Sequence, residues 1–269
     1  MNGKTYEIGV IGGDGTGPEV IGESIKVVPG CTLDRTNSQP ATVDPIAMDV
    51  LFGAGQSFEC RFPPTPAGSY SIKATAEFPF ETWAYIPYTF VDEESARAFA
   101  RQGRDIKQVL GITEQPIAVY TGGPITVGMG GSPQPILVRP TQDPILAPGS
   151  RIGVTLDTGW QSGRIKRVDT LELKVPQPFS LDTEKCDRKL TGEPVQDPKD
   201  DQYTDYTFTN PQFDVVTTYT SVTCPLVIDK SRQDDALKLV TSGDKAVRSF
   251  IARAHYTYVV EQKTSVQVK

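Results

Sequence analysis

The stretch Tyr70–Phe90 reads YSIKATAEFPFETWAYIPYTF, and its pattern decides the fold class. From Tyr70 to Phe80 every second residue is apolar, and Ser, Lys, Thr and Glu residues stand between them. Side chains along a β-strand point alternately to its two faces, so this pattern predicts a strand with one buried and one solvent-facing side. Pro79 interrupts the pattern because proline cannot donate a ladder hydrogen bond. We therefore predict a long, bent antiparallel strand or a hairpin that supplies much of the aromatic core.

Outside this stretch, short apolar runs alternate with glycine and proline turns. Between Gly111 and Leu156 the runs are Ile117–Tyr120, Ile125–Met129, Ile136–Val138 and Ile152–Leu156. Short strands at this spacing are typical of a β-sandwich or barrel. One helix is predicted between Asp92 and Leu110, with Asp92 as its N-cap. The fold class predicted for the body is mainly β, an antiparallel sandwich of immunoglobulin-like type with one inserted helix.

Composition limits the classes of function. The chain has 269 residues, enough for one large β domain or two small ones, and its 24 glycines and 22 prolines indicate many turns. A net charge of −6 argues against a nucleic-acid surface. No apolar run approaches the roughly 20 residues of a membrane-spanning helix, and no N-terminal export signal is visible. Protein partners or self-association are expected in place of nucleic acid or membrane.

The four cysteines are too far apart in sequence for a zinc site. Two interpretations remain open, buried free thiols or disulfides. Cys186 and Cys224 both lie in turn-rich or strand-end sequence, which makes them the candidate disulfide pair. A bridge would indicate an oxidising compartment or a thermophilic source.

Charged residues offer few candidates for chemistry. Arg164, Lys166 and Arg167 lie in a strand pattern, where they either contact an anionic partner or protect an exposed or edge strand; we favour the second interpretation. The acidic stretch Cys186–Asp205 is predicted to be a mobile loop, and its carboxylates do not have the spacing of an EF-hand. His255 is predicted on the polar face of a final strand, Val247–Val260. No Ser/His/Asp or Cys/His set is recognisable, so no catalytic residue or metal ligand is predicted.

The first residues point to a different class. Tyr6–Val28 reads YEIGVIGGDGTGPEVIGESIKVV, with a predicted strand at Ile8–Ile11, a glycine turn and a helical pattern that includes Ile25 and Val28. The glycines let the backbone approach a ligand closely, and the N-terminus of a helix can hold an anion.

The segment Gly12–Glu19, GGDGTGPE, resembles the start of the isopropylmalate, isocitrate and tartrate dehydrogenase family. The resemblance implies an α/β enzyme that oxidises 2-hydroxy acids with NAD(P) and Mg²⁺ or Mn²⁺. Asp14, Gly15, Gly17 and Glu19 would then be the cofactor-binding residues. The later motifs of that family are missing from the chain, so residues 1–28 are interpreted as a βα-like or disordered head, either native or foreign to the body. Residues 29–44 are predicted to be a linker, and residues 45–269 the sandwich.

Three stretches of the body resemble uncharacterised archaeal surface proteins with β-sandwich domains. They are FETWAYIPYTF (Phe80–Phe90), YTGGPITVGM (Tyr120–Met129) and RAHYTYVVEQKTSVQV (Arg253–Val268). This resemblance implies a secreted scaffold and no chemistry. The function expected from the sequence is a non-catalytic structural, adhesion or assembly domain at the cell surface, and it requires no cofactor. The alternative is a dehydrogenase remnant that uses NAD and a divalent metal.

Overall fold

The computed structural model of the chain describes residues 6–9, 25–34, 39–50, 55–113, 115–141, 143–160, 163–189, 193–197, 200, 202–209, 219–241 and 245–269. The strands in these ranges are β1 (Tyr6–Gly9), β2 (Ile25–Asp34), β3 (Gln39–Pro40), β4 (Thr42–Asp44), β5 (Met48–Val50), β6 (Gly55–Arg61), β7 (Gly68–Asp92), β8 (Val119–Tyr120), β9 (Ile125–Gly131), β10 (Ile136–Arg139), β11 (Ile145–Leu146), β12 (Arg151–Thr158), β13 (Gly163–Pro176), β14 (Phe179–Leu181), β15 (Val195–Gln196), β16 (Tyr203–Thr209), β17 (Tyr219–Ile228) and β18 (Ala246–Val268). The helices are α1 (Glu93–Arg101), α2 (Ile106–Leu110) and α3 (Gln233–Thr241), with single 3-10 turns at Thr183–Lys185 and Lys230–Arg232.

Two sheets form the body, and a small third sheet lies beside them. The large sheet has the strand order β11-β10-β7-β18-β13-β16-β15, and β2, β3, β5 and β8 add to it. The second sheet has the order β14-β17-β12-β9, and the third has the order β1-β6-β4. Almost all pairings are antiparallel, and the pairing of β10 with β7 is parallel. The prediction of a mainly β, antiparallel sandwich with few helices is confirmed.

The stretch that decides the fold class forms a single strand and not a hairpin. Strand β7 has 25 residues, and it pairs with β18 from Gly68 opposite Val268 to Phe90 opposite Ala246. Strand β18 in turn pairs with β13 from Ile251 to Val260, so this middle part of β18 lies between two strands. The alternation in both strands places most of their aromatic residues on the face that meets the second sheet, whereas Trp83 and Tyr85 are half-buried and stack on each other on the opposite face. Phe90 stacks on Phe179 of β14, with ring centroids 4.1 Å apart.

One edge of β7 pairs with β18, and the other edge has several partners with gaps between them. The prolines of β7 lie in these gaps, where no described strand pairs with it. On this edge β2 pairs with Ser71–Glu77, β8 with Ala84 and Tyr85, and β10 with Phe90–Asp92. Pro79 and Pro87 fall in the gaps between these partners. Because amides of alternate residues point the same way, the missing N–H of each proline belongs to this edge. In the same gaps, the N–H groups of Trp83 and Thr89 donate to side chains, as described below.

Side-chain acceptors replace the missing strand partners at these gaps. The Trp83 N–H donates to Thr121 Oγ1 at 3.0 Å, and the Thr89 N–H donates to Gln134 Oε1 at 2.8 Å. Gln134 is buried, so its side chain is part of the structural core. The two amides therefore have acceptors within the gaps, and the pairing with β18 on the opposite edge continues from Gly68 to Phe90 despite the two prolines.

The predicted helix after Asp92 is present as α1. The Asp92 carboxylate accepts hydrogen bonds from the N–H groups of Glu94 at 3.1 Å and Ser95 at 2.9 Å. These bonds satisfy amides that have no partner within the helix. Glu93 in the first turn also forms an ion pair with Arg139 of β10, which ties the helix start to the sheet.

The strand predicted at Ile8–Ile11 overlaps β1 (Tyr6–Gly9), whereas the helical pattern predicted after it is wrong at its end. The helical pattern was extended to Val28, yet Ile25–Asp34 is strand β2. Val27, Cys31 and Leu33 are buried, an alternation with period two that the helical interpretation overlooked. The predicted linker 29–44 contains most of β2 with β3 and β4, and β2 pairs with β7, so these residues belong to the body.

Strand β13 is only partly an edge strand. Its second half, Thr170–Pro176, lies between β18 and β16. Its first half pairs with β18 alone among the described strands, and two register shifts interrupt that pairing. Because of these bulges, Val168 and Leu171 are both buried although strict alternation would place them on opposite faces.

In the described part of the chain, no helix is both long and apolar enough to cross a membrane.

Candidate functional site

The residues predicted to bind a cofactor, Asp14, Gly15, Gly17 and Glu19, lie outside the described residues. The structure does describe the strands on either side of them. Strand β1 pairs antiparallel with β6, from Tyr6 opposite Phe58 to Gly9 opposite Gly55, and β2 begins at Ile25. The described residues on either side of this segment are therefore strands that pair with strands of the body.

All four cysteines are in disulfides. Cys186, which follows the 3-10 turn, is bonded to Cys224 of β17, and this is the pair that the sequence selected as its candidate. Cys31 of β2 is bonded to Cys60 of β6, a pairing that the sequence analysis did not identify. The sequence signal for this second bridge was that two further cysteines remained once the first pair had been selected. The bridges join residues 38 and 29 positions apart, so each closes a sizeable loop of the chain.

The acidic stretch Cys186–Asp205 was predicted to be a mobile loop, and its described parts are tied to the sheets. The Asp187 carboxylate accepts a hydrogen bond from the Thr223 N–H at 2.8 Å, and Arg188 donates to the Ser221 carbonyl at 2.8 Å. Strand β15 pairs with β16. The disulfide and these bonds hold the described parts of the stretch against β17 and β16.

The strongest electrostatic cluster is Lys174 with Asp197 and Asp205. Lys174 on β13 is 8% exposed and Asp197 is 9% exposed. The ammonium contacts Asp197 and also Asp205 of β16, the latter at 3.1 Å. Burial lowers the pKa of Lys174, but the hydrogen bonds that its ammonium donates to the two carboxylates outweigh this and leave the pKa above its ordinary value. The lysine is thus held in its charged form, and the cluster joins β13 to the β15–β16 hairpin.

His255 lies on the outer face of the sheet between two carboxylates. Its Nδ1 is 3.4 Å from Glu81 Oε2 on β7, and its Nε2 is 3.9 Å from Glu172 Oε1 on β13. Both ring nitrogens thus face acidic groups and not a hydroxyl or thiol. Nucleophilic catalysis needs a nucleophile within hydrogen-bond reach of the base, and this arrangement has none among the described residues. Within the same residues, no group of three or more His, Cys, Asp or Glu side chains has a geometry that could hold a metal ion.

The basic residues of β13 are paired with acidic residues of the same molecule. Arg164 contacts Glu261 of β18 at 3.1 Å, Lys166 contacts Glu77 of β7 at 2.5 Å, and Arg167 contacts Asp169 at 2.5 Å. The positive charges are therefore neutralised within the protein. This arrangement supports the interpretation of an exposed edge over that of a surface for an anionic partner.

A groove of about 650 Å³ lies beside the start of β18. It is open and polar, and its charged lining residues are Asp235, Lys238, Lys245 and Arg248. Lys245 already donates to the Leu110 carbonyl at 2.5 Å, and Arg248 donates to the Val247 carbonyl at 3.0 Å. These bonds orient the two side chains, and their positive charge remains because a backbone carbonyl is neutral.

Among the described residues, the end of β18 has a sheet edge without a strand partner. The last eight residues of β18, Glu261–Val268, pair with Gly68–Thr75 of β7 on one side. On the other side, β13 begins at Gly163 opposite Val260, and no other described strand continues from there. Backbone N–H and C=O groups along this segment therefore form an open sheet edge, which can bind another strand. We refer to residues 261–268 as the β18 edge.

Comparison of the sequence with protein-family models and with curated proteins gives no match. The functional assignment therefore rests on the disulfides, the paired charges and the open edge.

Proposed function

We propose that this protein is a non-catalytic structural, adhesion or assembly β-domain of a cell-surface or extracellular structure, with an immunoglobulin-like sandwich as its scaffold. The observation that carries the proposal is the pair of disulfides, Cys31–Cys60 and Cys186–Cys224. Structural disulfides persist in oxidising compartments and are rare in the reducing cytosol of mesophiles.

The position of the disulfides supports a structural role. Cys31–Cys60 connects the large sheet to the small third sheet, and Cys186–Cys224 fastens the segment after β14 to the second sheet. Closing loops of this length removes conformational entropy from the unfolded chain, and each bridge is expected to contribute about 3–4 kcal/mol to the free energy of unfolding. A domain cross-linked in this way suits an environment where unfolding would be irreversible.

The charged side chains support the same proposal. Buried Lys174, His255 and the basic residues in the first half of β13 each contact carboxylates of the same molecule. Active sites usually contain titratable groups held in strained or unpaired states, where their pKa values are shifted toward the pH of the reaction. The ion pairs seen here stabilise strand–strand contacts.

The compartment can be tested in cells that make the protein natively. Intact cells are treated with a protease and, in parallel, lysed cells receive the same protease; the chain is followed with an antibody. We expect digestion or shedding from intact cells, since a surface domain is accessible there. Protection in intact cells combined with digestion only after lysis would overturn the surface assignment.

The cysteine chemistry and the dehydrogenase alternative can be tested on the purified full chain. Alkylation before reduction should modify no cysteine, and reduction should lower the melting temperature by on the order of 10 °C or more. Addition of NAD⁺ with Mg²⁺ or Mn²⁺ should leave it unchanged. A cofactor-dependent rise that is lost in Asp14→Asn and Glu19→Gln variants would instead support the dehydrogenase alternative.

A further inference from the structure

The β18 edge differs from the other open edges of the large sheet. Natural proteins protect exposed edges with charges, prolines, bulges or very short strands. The first half of β13 carries Arg164, Lys166 and Arg167 and two register shifts, and the gaps along β7 contain Pro79 and Pro87. The β18 edge runs for eight residues, EQKTSVQV, with no proline and no register shift in its pairing with β7.

The charges on this edge do not prevent pairing. Glu261 is already neutralised by Arg164 at 3.1 Å, which leaves Lys263 as the one charged side chain of the segment without an ion pair in the described residues. Ser265 and Gln267 are exposed, uncharged and on the same face as Lys263. A strand that approaches this edge therefore meets a polar face that carries a single positive charge.

The other face of the edge has an apolar cluster beneath it. Leu33, Tyr70 and Ile72 form a small core of their own, apart from the main core, and Val266 and Val268 pack against it. Thr264, Val266 and Val268 are only half-buried. An added strand with apolar residues on this face would extend the cluster and complete their burial.

The segment is complementary to itself. If two copies pair antiparallel about Ser265, then Thr264 lies opposite Val266, Gln262 opposite Val268 and Lys263 opposite Gln267. Thr264 and Val266 of one copy lie beside the same residues of the other on the face of the apolar cluster, exposed Gln262 lies at its margin, and no like charges lie directly opposite each other. The sheet β2-β7-β18 would thereby continue through the two-fold axis into the same three strands of the second copy.

We infer that the β18 edge is a homodimerisation site, where Glu261–Val268 pairs antiparallel with the same segment of a second copy. The inference rests on the proposed assembly function and names the partner that the domain binds. Backbone hydrogen bonds provide the affinity, as in other cases of strand addition, and the alternation of Thr264, Val266 and Val268 sets the register.

A cysteine cross-link tests the two-fold axis directly. In an antiparallel pair, directly opposite Cα atoms are about 4.5–5.5 Å apart, which lies within the range that a disulfide can bridge. The full chain with Ser265→Cys should therefore form a covalent dimer on mild oxidation, whereas Gln56→Cys, at an exposed position of β6, should remain mainly monomeric. Equal cross-linking of the two variants, or none in either, would overturn the inference.

A charge variant provides an independent measurement. Ser265→Lys with Gln267→Lys places positive charges opposite one another across the axis and should weaken the dimer by about tenfold or more in light-scattering or sedimentation measurements. The matched control is Ser57→Lys with Gln56→Lys, which changes the same residue types at exposed positions of β6 and should leave the dimer unchanged. A wild-type chain that stays monomeric at every concentration tested refutes the homodimer.

The two proposals can fail separately. If the chain is monomeric but digested on intact cells, the homodimer is refuted and the surface assignment stands. If the chain is dimeric but protected inside the cell, the surface assignment is refuted and the homodimer stands. Cross-linking of the Ser265→Cys chain to a different protein in native cells, without self-cross-linking, would contradict the second copy as the occupant of the edge.

Discussion

Tyr256 joins the two sheets of the body through its hydroxyl group. The ring lies in the core beside Phe80, with centroids 5.8 Å apart, and the hydroxyl group is 2.6 Å from Thr82 Oγ1 on β7. It also accepts a hydrogen bond from the Ile125 N–H of β9 at 3.1 Å. Tyr206 has a similar role, since its hydroxyl group accepts a hydrogen bond from the Leu181 N–H of β14. Buried hydroxyl groups thus connect the large sheet to the second sheet at two points.

Removal of the Tyr256 hydroxyl should destabilise the protein through the amide it leaves behind. Tyr256→Phe keeps the ring but deprives the buried Ile125 N–H of its acceptor, which should lower the free energy of unfolding by about 1–3 kcal/mol. Tyr120→Phe, at a tyrosine that is 54% exposed, is the control and should be nearly neutral. Both are measured by denaturant unfolding with the disulfides intact. Equal stabilities of the two variants would show that this bond contributes little.

At the scale of elements, the positions of the prolines and caps were visible in the sequence, while their partners were not. Asp92 was recognisable as an N-cap because an acidic first turn and a helical apolar stripe follow it. Pro79 was recognisable as an interruption of the ladder. The acceptors in the gaps come from Thr121 and Gln134, each about 40 positions away from the amide that it binds. No local sequence pattern indicates such a distant partner.

The cap of α1 gives a prediction for this element. Asp92→Ala removes the acceptor of the Glu94 and Ser95 amides and should cost about 1 kcal/mol. Glu94→Gln removes one negative charge from the same helix turn and leaves the cap in place, so it should cost less than about 0.5 kcal/mol. Chemical unfolding of the two variants gives the comparison. If the charge-only variant is destabilised as much as Asp92→Ala, the effect is electrostatic and the cap has no specific role.

At the scale of the whole molecule, the tyrosines and lysine of the core resist alkaline titration. Burial raises the pKa of Tyr88 to about 12 and also raises the pKa values of Tyr206 and Tyr256. For Lys174, burial lowers the pKa, but the hydrogen bonds to Asp197 and Asp205 outweigh it, and the net shift is upward. All these groups therefore keep their protons in the folded chain at pH values where the unfolded chain begins to lose them.

This difference predicts that the protein loses stability in alkaline solution. Tyrosines in the unfolded chain titrate near pH 10 and lysines near pH 10.4, so above that range unfolding releases protons and the free energy of unfolding falls as pH rises. Each such group contributes a slope of about 1.4 kcal/mol per pH unit, for Tyr88 up to a pH of about 12. Tyr88→Phe removes one such titrating group and should reduce the slope by about 1.4 kcal/mol per pH unit. A free energy of unfolding that is constant from pH 9 to pH 11 would contradict this prediction.

Local sequence patterns were sufficient to predict that the body is mainly β. They were also sufficient to predict the aromatic strand β7, the final strand β18 and the helix cap at Asp92. It could do so because alternation and capping are local: a residue's periodicity and its near neighbours set which face it occupies. The same local patterns indicated that Cys186 and Cys224 were a possible pair and that the basic residues of β13 belonged to an exposed stretch.

The place of Ile25–Asp34, the Cys31–Cys60 bridge, the burial of Lys174 and the open edge of β18 depend on contacts between residues distant in sequence. The glycine-rich start and the composition of residues 29–44 suggested a separate head and linker, but β2 pairs with β7, 37 to 49 residues further along the chain. Likewise, the extent of a neighbouring strand defines an edge, and β13 begins at Gly163, opposite Val260. Hydrogen bonding between strands distant in sequence is collective, so the edge that remains open is a property of the assembled sheet.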